Sequence, residues 1–244
     1  MSQLANTHPR RATEIIDASF RFYRAHFGNL LVLSALLLVP VALIGAVVPT
    51  GMERVVQFVG NLMYLICEGA IAVLVAAAIE RDQSLSSGEV FRELGSNAGN
   101  VIGASIVSGL MVVIGFVLLI VPGFIALAWT MVAVPVAAIE GSSSSSAIAR
   151  SRELARGRMG HVLGTMLLAW VIVIALMLGL AMSLGMLFAL VGVPDRMTDM
   201  LGELLMVPLF PLIGVAVTLL YYDLRVRSDG ADVEAMVNAL PETP

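Results

Sequence analysis

Six apolar runs constrain this chain more than any other feature. Each is near the roughly 20 residues that a helix needs to cross a bilayer. They fall at approximately 30–49, 55–79, 101–121, 124–140, 162–190 and 201–222. Of the 244 residues, 59% are hydrophobic and 13% charged, against about 45–50% and roughly 25% in soluble domains. With a mean hydropathy of +0.94, the expected fold is an all-α integral membrane protein with six transmembrane helices. Val121-Pro122-Gly123 predicts a tight hairpin between the third and fourth runs. Pro135 should kink the fourth, and Pro208 with Pro211 should break or bend the sixth, because proline removes a backbone donor and clashes with the preceding turn. The fifth run is too long for one upright crossing, so it tilts or protrudes.

A charged segment precedes the first run. Over residues 10–27, Ile16, Phe20, Tyr23 and Phe27 recur at helical steps, with Arg10, Glu14, Asp17, Arg21 and Arg24 on a separate arc. A basic and aromatic helix of this kind suits the headgroup layer. The pattern recurs. Gly28-Asn29, Gly99-Asn100 and Gly160-His161 open the first, third and fifth runs, each after a charged helical stretch. Arg92-Glu93-Leu94 matches Arg152-Glu153-Leu154, and the even runs end on Glu80, Glu140 and Asp223. The expected organisation is a six-span domain over residues 1–228 built from three repeats, approximately 10–80, 86–140 and 143–224. Each repeat is an interfacial helix followed by a transmembrane hairpin. Residues 229–244 form a short polar tail, with Asp232 placed to cap a short helix. In the GSSSSS join, Ser146 is placed to cap a helix beginning at Ala147.

All fourteen basic residues are arginine, and twelve lie in the N-terminal segment, the second and fourth loops and the tail. Only Arg54 and Arg196 fall on the other side. The positive-inside rule then puts both termini in the cytoplasm. The first 29 residues are polar, and no small-residue cleavage site follows the first run, which points to no cleaved signal. The lone Cys67 leaves no intrachain disulfide.

Glu68 stands out, because an ionised carboxylate in mid-bilayer costs about 2.5–3.5 kcal/mol on insertion scales. Asn61 and Tyr64 share its helical face, so Asn61, Tyr64 and Glu68 form a candidate intramembrane polar site. The blander role for Glu68 is a tie to a neighbouring span through Ser105, Ser108, Thr130 or Thr218. Arg21, Arg24, Arg150, Arg152, Arg156 and Arg158 form a candidate basic face for lipid headgroups. The pairs Gly99/Gly103 and Gly160/Gly164 read as close-packing positions. His26 and His161 fall at equivalent positions at the membrane surface, and His8 lies apart from both. No Walker A loop, G-x-G-x-x-G, H-E-x-x-H or G-x-S-x-G occurs, so no catalytic residues, metal or cofactor are expected. The arginines flank spans instead of forming a basic domain, so nucleic acid is not an expected partner.

Four segments carry a family resemblance: Phe20–Gly28 (FRFYRAHFG), Leu119–Gly123 (LIVPG), Arg150–Leu154 (RSREL) and Leu219–Arg225 (LLYYDLR). Over roughly residues 10–228 the chain resembles the membrane domain fused to some glycerophosphoryl diester phosphodiesterases and its stand-alone bacterial relatives. The fused proteins catalyse with a separate soluble domain that is missing here. The resemblance therefore implies a multi-pass module of a bacterial inner membrane and brings no phosphodiesterase residues with it. The first functional reading is a non-enzymatic protein organising lipid or a partner at the cytoplasmic face, with a homo-oligomer as a further candidate. The second is a small transporter or channel-like protein with Glu68 on its pathway. An intramembrane enzyme is disfavoured because Glu68 has no visible catalytic companion.

Overall fold

The computed structural model describes residues 10–49, 51–192 and 194–239, leaving aside the side chains at 189, 195, 196, 199 and 231–239. Among the described residues ten helices follow in chain order, and no strand occurs. They are α1 (Ala12–Ala25), α2 (Phe27–Val47), α3 (Glu53–Glu80), α4 (Ser87–Gly95), α5 (Ala98–Leu118), α6 (Ile120–Thr130), α7 (Ala133–Glu140), α8 (Ser144–Ala155), α9 (Met159–Val191) and α10 (Asp195–Ala239). Six segments are long and apolar enough to cross a membrane: α2, α3, α5, α6 with α7, α9 to Phe188, and Met200–Gly230 of α10. The chain is an all-α multi-pass membrane protein.

α1, α4 and α8 are short and amphipathic. Glu14 and Glu89 each accept from the backbone N–H three residues earlier, of Arg11 at 2.7 Å and Ser86 at 2.8 Å, which ties down both helix starts. The Ser86 hydroxyl also donates to Glu89 at 2.7 Å, and together these bonds hold the Glu89 carboxyl below its ordinary pKa. This support for α4 is present above the ordinary carboxylate pKa and fades as acidification protonates Glu89. α8 begins at Ser144 with Ser143 as its cap, the Ser146 N–H donating to Ser143 Oγ at 3.4 Å. The expected start at Ala147 is three residues late, because Gly141 already stops α7 in the left-handed region (φ 64°) and frees the chain to begin again. In α1 the buried face is Ile15, Ile16, Ala18, Ser19 and Phe22. Phe20 and Tyr23 sit on its flank, and Phe27 is exposed at the start of α2.

Burial separates two classes of span. In α10, 61% of the most apolar window is buried, and in α3 and α6–α7 56%; in α9 the share is 11% and in α5 17%. The second helix of each hairpin is thus central and the first peripheral. α3, α7 and α10 touch one another. Each peripheral span packs on its own central helix and on one from another hairpin, the preceding one for α5 and α9 and the last for α2: α2 on α3 and α10, α5 on α6 and α3, α9 on α10 and α6. The short helices close the same ring, α1 lying on α9 and α10, α4 on α3, and α8 on α5, α6 and α7.

Proline acts in two ways. The fourth span breaks at Met131–Val132, and Met131 carries the carbonyl that the Pro135 ring obstructs. α10, in contrast, runs unbroken through Pro208 and Pro211. Central packing outweighs the lost backbone bonds, and the Tyr23 hydroxyl donates to the Pro208 carbonyl at 2.6 Å. α10 also continues through Asp232 to Ala239, so the tail is no separate helix capped at Asp232, whose side chain lies outside the described residues. α9 has 33 residues, about 50 Å at 1.5 Å per residue, so it exceeds the hydrocarbon thickness as expected.

The third and fourth spans turn at Leu119, where the backbone is extended (φ −165°, ψ 158°). Pro122 and Gly123 then lie inside the first turn of α6, where a proline gives up no hydrogen bond that a helix would use. The hairpin closes on Gly115, whose missing Cβ would stand 2.9 Å from both Gly123 Cα and the Pro122 carbonyl oxygen. Of the four glycines expected at close contacts, only Gly103 makes one, against Ser144; Gly99, Gly160 and Gly164 face open space. The tight glycines lie elsewhere, as at Gly69 against Val101 and Gly214 against Ile71. An apolar alphabet makes small-residue pairs by chance, and only packing decides which face a neighbour.

Candidate functional site

The polar chemistry gathers at the two ends of the bundle. At the end carrying Arg10, the three acids that close the central helices all meet the Tyr221–Arg227 segment of α10. The Tyr221 hydroxyl donates to Glu140 at 2.9 Å and the Tyr222 hydroxyl to Glu80 at 2.9 Å. Arg225 stands 3.6 Å from Glu80. The Asp223 side chain is 1% exposed. It accepts from the Arg10 backbone N–H at 2.6 Å, from Arg227 Nε at 2.7 Å and pairs with His161 Nε2 at 2.8 Å. Arg227 also donates to the Arg10 carbonyl at 2.6 Å, and Arg158 to the Arg227 carbonyl at 2.8 Å. A buried carboxylate is tolerable only when paired and bonded, and Asp223 is both. This cluster is a clasp joining the chain's start, α9 and α10. The three terminal acids and His161 are visible in the sequence, but their convergence on one segment is not.

The phenols test how the clasp is shared. Replacing Tyr221 by Phe keeps the ring and removes the bond to Glu140, so unfolding in detergent should require about 1 kcal/mol less free energy. Tyr222→Phe should cost less, because Glu80 is half exposed and partly served by Arg225.

The six arginines of the expected basic face divide. Arg21, Arg24, Arg152 and Arg156 are exposed. Arg21 and Arg24 line a shallow groove with Asp17 and Phe20. Arg152 lies over the Trp129 ring, 4.2 Å from its centroid, a cation–π contact that holds α8 against α6. Arg150 pairs with Glu153 at 2.9 Å, and Arg158 serves the clasp. His26 stacks on Phe22 with ring centroids 4.2 Å apart and is buried, so its surroundings differ from those of the Asp223-paired His161.

At the opposite end, α2, α3 and α10 enclose an open cavity of about 360 Å³. Glu53, Gln57, Asn61 and Tyr64 line it from α3 and Glu203 from α10, facing apolar residues including Leu38, Val41 and Val48. Gly45 borders the acid: a Cβ there would stand in ordinary contact with Glu203 Oε2, at 3.9 Å. The structure thus brings Asn61 and Tyr64 together but not with Glu68. The lining ends at Tyr64, whose ring packs edge-on against Phe210 at 5.1 Å. Nor, among the described residues, does Glu68 hydrogen-bond α3 to a neighbour. Ser105, Thr130 and Thr218 donate to the carbonyls of Val101, Ala126 and Gly214 in their own helices, and Ser108 Oγ is buried without a partner. Short hydroxyls find the carbonyl four residues back more readily than a distant carboxylate. Gln57 and Glu203 lie within three residues of the start of their apolar runs, where polar residues are unremarkable.

Among the described residues no group of three or more His, Cys, Asp or Glu is placed to hold a metal ion. Compared with protein-family models, curated proteins and solved structures, the chain matches none.

Proposed function

We propose that the chain is a non-enzymatic multi-pass protein of a bacterial inner membrane that gathers anionic lipid at its cytoplasmic face, with both termini on that side. The observation that carries this reading is the division of the arginines. Arg225 and Arg227 contact acids within the bundle end, whereas Arg21, Arg24 and Arg156 are exposed and within salt-bridge reach of no carboxylate among the described residues. Two arginines three residues apart, beside the half-buried Phe20, suit a phosphate headgroup with its acyl chain alongside. The resemblance to the phosphodiesterase membrane domain supports the multi-pass bacterial membrane part of this reading.

We further read the three hairpins as repeats of one unit. Three contacts at matching places support this. Asn29 donates to Ser84 Oγ at 2.8 Å, the Asn100 carbonyl accepts from Ser144 Oγ at 3.0 Å, and His161 meets Asp223. Each ties the start of a hairpin to the chain just beyond or at its end.

Spin-labelled phosphatidylglycerol in a phosphatidylcholine bilayer tests the lipid reading. Each arginine near an anionic surface is worth about 1 kcal/mol, so changing Arg21 and Arg24 together to Gln should remove about 2 kcal/mol of preference for the anionic probe. An unaltered preference would refute the reading.

A further inference from the structure

We infer that the cavity between α2, α3 and α10 binds the ammonium group of an amphiphilic amine. The site rests on its own geometry and does not need the lipid reading. Its polar wall is a stripe along α3, where Glu53, Gln57, Asn61 and Tyr64 follow at steps of four, four and three, faced by Glu203 of α10. From Glu53 to Tyr64 the stripe descends about 16 Å at 1.5 Å per residue, well into the span. Among the described residues none of these five side chains has a hydrogen-bond or ion-pair partner, whereas the acids Glu80, Glu140 and Asp223 at the far end are all bonded. Polar groups at that depth are expensive unless something pairs with them.

The lining sets the ligand chemistry. Among the described residues it holds two carboxylates and no Arg, Lys or His, so it favours a cation. A hard divalent metal ion takes six to eight oxygens, and among the described residues no group of three acids stands here to begin such a shell. An ammonium needs three acceptors, which a carboxylate, the Gln57 or Asn61 amide oxygen and the Tyr64 hydroxyl can supply. The opposite wall, with Leu38, Val41, Ala42 and Val48, would be wasted on a bare ion but covers a short alkyl chain. The volume of about 360 Å³ lies within the roughly 300–1,000 Å³ of small-molecule sites.

Calorimetric titration of the full chain in phosphatidylcholine nanodiscs with butylammonium, blanked against empty nanodiscs, tests the site. Saturable binding is expected, with butanol failing to compete. Glu53→Gln with Glu203→Gln should weaken binding at least tenfold by removing the charge. Gly45→Leu should do the same by filling the space with both carboxylates intact. Thermal unfolding identifies any variant that does not fold, in which case the other decides. Replacing half the lipid with phosphatidylethanolamine separates the sources. Weaker butylammonium binding there assigns the site to a lipid amine, and unchanged binding assigns it to a free one. No saturable binding, equal binding of butanol, or full affinity in the folded variants would overturn the proposal.

Discussion

Asp223→Ala lowers the unfolding free energy by about 3–5 kcal/mol, the cost of removing one partner from a buried charge pair. The side chain is 1% exposed and receives three bonds from three parts of the chain. Without it, Arg227 at 24% exposure and His161 at 20% are left facing a vacated acceptor. The start of α1 loses its tie to α10 as well. Asp223→Asn keeps an oxygen for the Arg10 N–H and loses the charge, so its cost is smaller. Denaturation in mixed detergent micelles measures both variants, and a loss below about 1 kcal/mol for the alanine would show that the clasp carries little of the fold.

Gly115→Leu separates the hairpin of α5 and α6 and costs about 3 kcal/mol, the upper range for forcing volume into a packed contact. The obstacles are Gly123 Cα and the Pro122 carbonyl, both at 2.9 Å from the added Cβ. They belong to backbone and cannot rotate away, as the tip of a long side chain can. Gly123 is confined from the other side by the Phe116 ring, itself edge-on to Phe124 at 5.3 Å. Gly109→Leu is the control. It lies on the same helix with nothing within 4 Å, so the change should be neutral or slightly stabilising through helix propensity. Equal losses at both positions would mean that the close approach at Gly115 is not what resists substitution.

The two variants probe opposite kinds of information. Leu119, Pro122 and Gly123 are neighbours in sequence, and the hairpin they make was legible there to within a few residues. The misplacement of its turn at residues 121–123 has a local cause, because proline and glycine fit the first turn of a helix as well as a loop. Asp223 is different. Its partner Arg10 lies 213 positions away, and nothing in the local pattern of either residue announces the other. The acids at Glu80, Glu140 and Asp223 were visible as a recurring ending, yet their meeting on Tyr221–Arg227 depends on how three hairpins pack. Glu68 is the converse case. A carboxylate in an apolar run drew attention, while Glu53 and Glu203, near the ends of their spans, line the cavity that Glu68 does not reach.

Taken alone, the amino-acid order determined that six helices are long and greasy enough to cross a membrane, and that charged amphipathic helices precede the hairpins. Those properties are sums over neighbouring residues, so a short window of sequence contains them. Only the tertiary structure decided which helices are central, which glycines touch a neighbour, which arginines are consumed inside the protein and where a cavity opens. In a chain this uniformly apolar, almost any helix face can meet almost any other, and the choice is made by a few distant hydrogen bonds and close backbone contacts.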